Sequence, residues 1–525
     1  MTAAEARQLT AARSLSAAET GATAAGGRSR AAVLPTAGLA CLVLLAVGLR
    51  LVPTIFHPSL NWGDEVFQTI EPAHRLVYGY GLVTWEFQVG LRSWLLPGAI
   101  AGIMEVARLF GDGPQYYLPA IAGALGLLGA APVVCAFLWC RRDFGLAGAF
   151  VAAAAVAVAP ELVYFGARAL NEVVAAHLLV VALYLTAPGR PVGPRRQAAV
   201  GFLLGLVALL RLQLAPAAAL VVLWPWCENR RPRLIAIVAG GGAALAGGAA
   251  LDWLTLGYPL ASVWRNLYDN LYLGISSGFS VEPWWFYLAG ELGVWLAAAP
   301  VVLFLAAMGA RRMPLPAAVA VAIVAVHSAI PHKEYRFIYP AIVLLMMLAA
   351  TGLAELTGAA AARLRRHGLR PGRAAAVAAA ALTGVWGIAA AAAWSGGTLA
   401  LLRQRAHNEL LATAYVREMP GLCGVGLYGR NAWVRYGGYT YLHRRVPLFW
   451  PATAAELKAS ASGFDALLYD RRETALPAGL GFSTLRCFGP VCVTRRAGAC
   501  ASLPPSPMWF PEGLRPETAS SPRRR

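Results

Sequence analysis

The chain has 525 residues, 58% of them hydrophobic and only 14% charged. About one-quarter of a soluble globular protein is charged, so this composition excludes an ordinary soluble enzyme and points to a polytopic membrane protein. The formal charge of +19 is not read as a nucleic-acid signature, because the arginines gather in short loops between apolar runs, where they set orientation across the bilayer.

In chain order, residues 1–32 form an Ala/Ser/Thr/Arg-rich extension expected to be disordered. It is too long and polar for the start of an ordinary secretory signal, so the first apolar run is expected to remain as an anchor. A span needs about 20 apolar residues. Runs near 33–55, 116–138, 144–160, 171–188, 234–251, 284–309, 314–330, 337–357 and 374–394 qualify, and 197–226 fits a pair of short helices. Together they predict about eleven crossings. Arg28 and Arg30, Arg141 and Arg142, Arg190 to Arg196, Arg230 to Arg233, Arg311 and Arg312, and the run from Arg363 to Arg373 fall at alternate loops. All reach the cytoplasm if 93–110 lies on the outer face as an amphipathic or re-entrant segment. The loops 56–115, 161–170, 252–283 and 331–337, and everything after about 395, then face outward.

Residues 33–400 are therefore expected to be a transmembrane domain, with 56–115 as its first outer loop. From about 401 to 503, short apolar stretches alternate with Gly and Pro turns, which predicts a small soluble α/β domain. Residues 504–525 read as a disordered end. Cys423, Cys487, Cys492 and Cys500 lie in this outward region, where one or two disulfides are expected with the pairing left open.

Two stretches carry chemistry. In GDEVFQTIEPAHRLVYGYGLVTWEF, Asp64 and Glu65 directly follow the first span. As boundary residues they would be merely solvated; near an apolar surface, a carboxylate gains basicity and can accept a hydroxyl proton. Trp85, Glu86 and Phe87 could form a sugar-binding wall. In AIPHKEYRFIYP, His332, Lys333, Glu334 and Arg336 crowd between two apolar spans and two prolines. Only Lys333 and Lys458 of the 45 basic residues are lysine, which suggests that a compact ammonium is wanted at 333. His332, Lys333 and Arg336, oriented by Glu334, would suit a phosphate at the membrane surface. Arg168 and Glu172 lie one helical turn apart on another outer loop, and the loop 266–287 with Trp284 and Trp285 has a texture suited to a lipid–sugar ligand. P-loop, HExxH and GxSxG motifs are absent. A sugar transferase with outward acids would need a lipid-linked donor.

The HKEYRFIYP segment resembles the HKEERF-type signature of glycosyltransferase family 22, the polyprenyl-phosphate-mannose-dependent α-mannosyltransferases of N-glycan and GPI-anchor assembly. The first outer loop, LeuArgLeuGln (210–213), GISSGFSVEPWWFYL and GGYTYLHRRVPLFW are similar to family segments in the same order, from about 40 to 450. Tyr335 departs from the pattern, which usually has a second acid there. The resemblance implies an all-α GT-C membrane fold and an inverting transfer from polyprenyl-phosphate mannose to a glycan or glycolipid acceptor, without metal or cofactor. It implies Asp64 as base with Glu65 as neighbour or alternate, His332, Lys333 and Arg336 on the leaving phosphate, and Arg168 assisting them. The Ala- and Arg-rich composition suggests a bacterial inner membrane with a periplasmic site, the counterpart in a eukaryote being the ER membrane with a luminal site. The alternative is a transporter or flippase of a lipid-linked anion, which would place charges within the spans; a structural scaffold would leave the paired acids without a role.

Overall fold

The computed structural model describes residues 36–187, 193–227 and 234–511. The extension 1–32 and the end of the tail beyond 511 lie outside the described residues, as do Arg190 and Arg230 to Arg233. The described chain is built mainly of helices, in chain order α1 (Thr36–Phe56), α2 (Glu71–Tyr78), α3 (Leu95–Arg108), α4 (Pro114–Leu128), α5 (Ala131–Val158), α6 (Asn171–Thr186), α7 (Pro194–Leu210), α8 (Ala215–Cys227), α9 (Leu234–Leu256), α10 (Ala261–Leu267), α11 (Phe286–Trp295), α12 (Ala299–Arg312), α13 (Pro314–Ala329), α14 (Tyr339–Arg366) and α15 (Pro371–Ser395). Among the described residues six helical stretches are long and apolar enough to cross a membrane, and three shorter apolar helices span Asn171–Thr186, Leu212–Trp224 and Pro314–Ala329. The protein is a multi-pass membrane protein.

The helix boundaries follow local chemistry. The expected break between 138 and 144 falls elsewhere, because Arg141 and Arg142 continue α5 and the kink comes at Gly145, whose φ of 68° only glycine adopts freely. Helix α14 is the bundle's central post, packed by α5, α6, α12 and α15. Its contact with α12 requires glycine on both sides. A Cβ at Gly352 would lie 2.1 Å from the Leu305 carbonyl oxygen, and one at Gly309 would lie 2.0 Å from that of Leu348. Small residues let the two backbones touch, as is usual where lipid removes the hydrophobic drive between helices.

The segment 93–110 forms α3, which packs on α2 and α4. Beyond the bundle a five-stranded sheet has the order β2-β1-β3-β5-β4: β1 Val425–Tyr428, β2 Leu448–Phe449, β3 Ala466–Asp470, β4 Phe482–Phe488 and β5 Val491–Arg496. Strands β1 and β3 are parallel and buried throughout, which explains the apolar runs Val425–Tyr428 and 466–469. The β4–β5 hairpin is antiparallel, with Cys487 and Cys492 disulfide-bonded across it; Cys423 and Cys500 form a second disulfide.

One carboxylate docks this sheet domain onto the segment between α1 and α3. Buried Glu71 accepts hydrogen bonds from the backbone of Leu82 (2.8 Å), Tyr439 (3.2 Å) and Thr440 (2.7 Å), and from the Thr440 hydroxyl (2.7 Å). Burial pushes its carboxyl up, and the four donors limit the rise.

Candidate active site

Asp64 and Glu65 open the helical stretch that runs through a π-helical turn, Val66–Ile70, into α2. Successive helical residues point about 100° apart, and the two acids diverge accordingly. Glu65 turns inward, where the Arg168 Nη1 donates to it at 2.8 Å. Four of the five Arg168 N–H donors are used there, the others going to Ser59 O (2.9 Å), Ser59 Oγ (2.7 Å) and Tyr164 O (3.2 Å). Asp64 turns instead into a cavity of about 320 Å³.

On the cavity wall Arg336 holds three carboxylates. Its Nη2 donates to Asp64 Oδ2, its Nη1 to Glu172 Oε1 (2.6 Å) and its Nε to Glu334 Oε2 (2.6 Å). The rigid five-donor fork of a guanidinium permits this, and an ammonium would not. Arg336 is 3% exposed, whereas the Asp64 side chain is 33% exposed, with Oδ1 left free of protein partners among the described residues. Burial alone would raise the Glu334 carboxyl, but Arg336 and His332 outweigh it and hold the group at about 2. His332 Nε2 lies 3.6 Å from Glu334 Oε1.

Lys333 does something different. Its Nζ donates to the carbonyls of Glu282 (2.8 Å) and Ile330 (2.6 Å), with Pro331 O at 3.5 Å. The compact ammonium is used, but to tie the loop 280–283 to the turn 330–333 rather than facing the cavity. The structure therefore brings Asp64, Trp85, Glu86, His332, Glu334 and Arg336 to the cavity. Glu65, Arg168 and Lys333 stand behind its walls, and Trp284 and Trp285 are exposed side chains away from it. Glu86 accepts from Gln68 Nε2 at 3.0 Å. Burial raises its carboxyl, the Arg92 charge opposes this, and the Asp64 charge adds to it.

Sequence reasoning gives one residue here a different neighbour and leaves two without a role. Glu172, which spacing sets beside Arg168, meets Arg336. Arg92 and Arg211 also line the cavity. Arg211 carried a usable signal as a charge between two apolar helices, where ionisable residues are costly and hence functional by default. Arg92 carried none.

The family model for Alg9-like mannosyltransferases matches residues 40–417. The chain belongs to that family. Membership bears out the resemblance to glycosyltransferase family 22 read from the motifs. Curated relatives agree with it: a GPI mannosyltransferase 3 of Yarrowia lipolytica is 29% identical over 337 residues, covering 61% of this chain and 64% of that relative. A GPI alpha-1,2-mannosyltransferase 3 of Xenopus laevis is 28% identical over 340 residues, covering 60% of each. The aligned stretches thus span less than two thirds of these relatives' own length. Among solved structures, ArnT from Cupriavidus metallidurans bound to undecaprenyl phosphate superposes with a TM-score of 0.57 at 15% identity, covering 91% of this chain and 99% of that one. This family member has the GT-C fold, with a small sheet domain at its C-terminal end.

Proposed function

We propose that the protein is a membrane mannosyltransferase that moves mannose from a polyprenyl-phosphate-linked donor to a hydroxyl of a lipid-linked glycan or glycolipid, with inversion at the anomeric carbon. The observation that carries this reading is the Asp64 carboxylate, fixed through one oxygen by Arg336 and open through the other to the cavity. In the reaction, the acceptor oxygen attacks the anomeric carbon while Asp64 takes its proton. The bond from that carbon to the phosphate oxygen breaks, and its electron pair leaves with the polyprenyl phosphate. Arg336 aims Asp64 by holding its other oxygen. Glu65 and Arg168 support the turn that presents Asp64. Trp85, with Glu86 beside it, supplies an aromatic wall for a pyranose face.

The active face is the one opposite the arginine-rich loops, the periplasm if the membrane is a bacterial inner membrane. Two disulfides in the sheet domain favour such an oxidising compartment. The test is incubation of the purified protein with radiolabelled polyprenyl-phosphate sugars and membrane lipid extract, followed by mass analysis of the product. A labelled glycolipid lengthened by one hexose from the mannose donor is expected. Transfer from a nucleotide sugar instead, or donor movement across vesicles without transfer, would overturn the reading.

A further inference from the structure

Most cations near the cavity are already committed. Arg336 carries three carboxylates, Arg168 a carboxylate and the Ser59 and Tyr164 oxygens, and Lys333 a set of carbonyls. Arg92 and Arg211 line the cavity with no carboxylate in ion-pair contact among the described residues, and the Nε of each is buried without a hydrogen-bond partner. Arg211 sits where α7 ends, its backbone extended at φ −148° and ψ 94°, and its guanidinium stacks 4.3 Å from the Phe337 ring centre.

Both arginines also line a side chamber of about 50 Å³, several times the space one water needs. Its polar lining includes Asn171, Gln213, Asn266, Ser93 and Ser262, and no carboxylate. Asp252 lies behind this wall with both oxygens occupied: Ser93 Oγ donates to Oδ1 at 3.1 Å, and Ser262 donates to Oδ2 through its backbone N (3.0 Å) and hydroxyl (2.6 Å). It thereby locks the loop bearing Arg92 to α10. Asp64, Glu86 and Glu334 line the main cavity and not this chamber.

We propose that Arg92 and Arg211 form the subsite that grips the phosphate of the lipid-linked substrate. The proposal rests on the reading of the cavity as a lipid-phosphate sugar-transfer site, and it takes the phosphate role away from His332, Lys333, Arg336 and Arg168. A departing phosphate gains charge as the sugar leaves it. Guanidinium donors held in place with no carboxylate to displace stabilise that charge without reorganisation. The carboxylates of the main cavity repel the same phosphate. The sugar is thus set between Arg92 and Arg211 on its leaving side and Asp64 on its attacking side, the arrangement inversion needs.

The test uses the full-length protein in detergent, with decaprenyl phosphate, uncharged decaprenol and inorganic phosphate as probes, read by native mass spectrometry and thermal shift. The wild type is expected to prefer decaprenyl phosphate to decaprenol, and millimolar inorganic phosphate is not expected to displace it. Arg92→Gln and Arg211→Gln are each expected to weaken decaprenyl phosphate binding about ten- to a hundredfold, the loss of one charged hydrogen-bonding group, while decaprenol binding is unchanged. Arg211→Lys, which keeps the charge without the fork, should lose several-fold and serves if a Gln variant does not fold. Selective wild-type binding with insensitive variants overturns the subsite alone. A wild type that binds decaprenol as tightly as its phosphate overturns the underlying functional reading as well. Displacement by inorganic phosphate would overturn the lipid as the source of the anion.

Discussion

Asp64 and Arg336, 272 residues apart in the chain, form an ion pair on the cavity wall in which Arg336 also serves Glu172 and Glu334. One guanidinium facing three carboxylates leaves the cluster with surplus negative charge. Neutralising Asp64 relieves repulsion and leaves Arg336 two partners. Asp64→Asn is therefore expected to keep or slightly raise thermal stability while transfer falls about a hundred- to ten-thousandfold, the range for a lost general base. Single-turnover transfer from polyprenyl-phosphate mannose measures this; a rate near wild type would remove Asp64 as the base.

Glu65 predicts the opposite pattern. Its carboxylate is buried against Arg168, and breaking one side of a buried ion pair costs about 3–5 kcal/mol. Glu65→Ala is expected to lower the melting temperature strongly. Glu65→Gln, which keeps an acceptor for Arg168, is expected to retain transfer within about tenfold. If Glu65→Gln abolishes transfer in a normally stable protein, the two neighbouring acids have exchanged roles.

Arg336→Lys tests the fork itself. An ammonium cannot bridge three separated carboxylates in a rigid plane, so the variant should lose about 3–5 kcal/mol of stability. Adding Glu172→Gln removes one buried charge and should recover part of that loss. A double variant no more stable than Arg336→Lys, in denaturant or thermal unfolding, would mean that Glu172 and Arg336 are not coupled.

Much of this architecture is legible in the sequence. Apolar runs and arginine loops are one-dimensional signals, so the membrane bundle follows from hydropathy, and HKEYRFIYP with its companion segments carries the family. The partner of each charge is not one-dimensional. Arg336 was read as a phosphate ligand because the sequence displays its charge but not Glu172 and Asp64, 164 and 272 residues away. Lys333 stands out in composition as a compact cation for a phosphate, but its partners are backbone carbonyls, to which composition is blind. The Pro-rich stretch after 503 read as disordered, yet its described part packs against the cavity's aromatic wall.

The contact between α2 and the sheet domain predicts acid sensitivity. The Tyr80 carbonyl, 3.1 Å from His74 Nδ1, can only accept, so His74 carries its proton there and its Nε2 accepts from His443 Nδ1 at 3.0 Å. Burial first, then the His443 charge, pushes His74 down to about 4, with Tyr80 and Asp112 opposing. In the unfolded chain it titrates near 6.5. Between those values the unfolded chain binds a proton that the native state does not. Stability is therefore full above about pH 6.5 and falls as pH drops toward 4, by on the order of 3 kcal/mol. His74→Gln should flatten this part of the melting-temperature profile, and an unchanged slope would assign the acid sensitivity to other groups.

The tail supplies the last prediction. The backbone N of Trp450 donates to Ser506 Oγ at 3.0 Å, and Ser506 N donates to Leu448 O, which fastens the tail beside β2. From there Met508 and Phe510 pack with Trp85 and Leu91, and the Trp509 ring meets Phe279 at 6.0 Å. Trp85 and Phe279 stack at 6.2 Å and both line the cavity. A chain ending at Pro504 loses this backing on one side while α14 and its neighbours keep all their contacts. Hydrogen exchange should therefore quicken in residues 84–92 and 274–280 and stay unchanged in 339–366, because local opening tracks local burial. Unchanged exchange around Trp85 would mean that its own loop holds the aromatic wall without help from the tail.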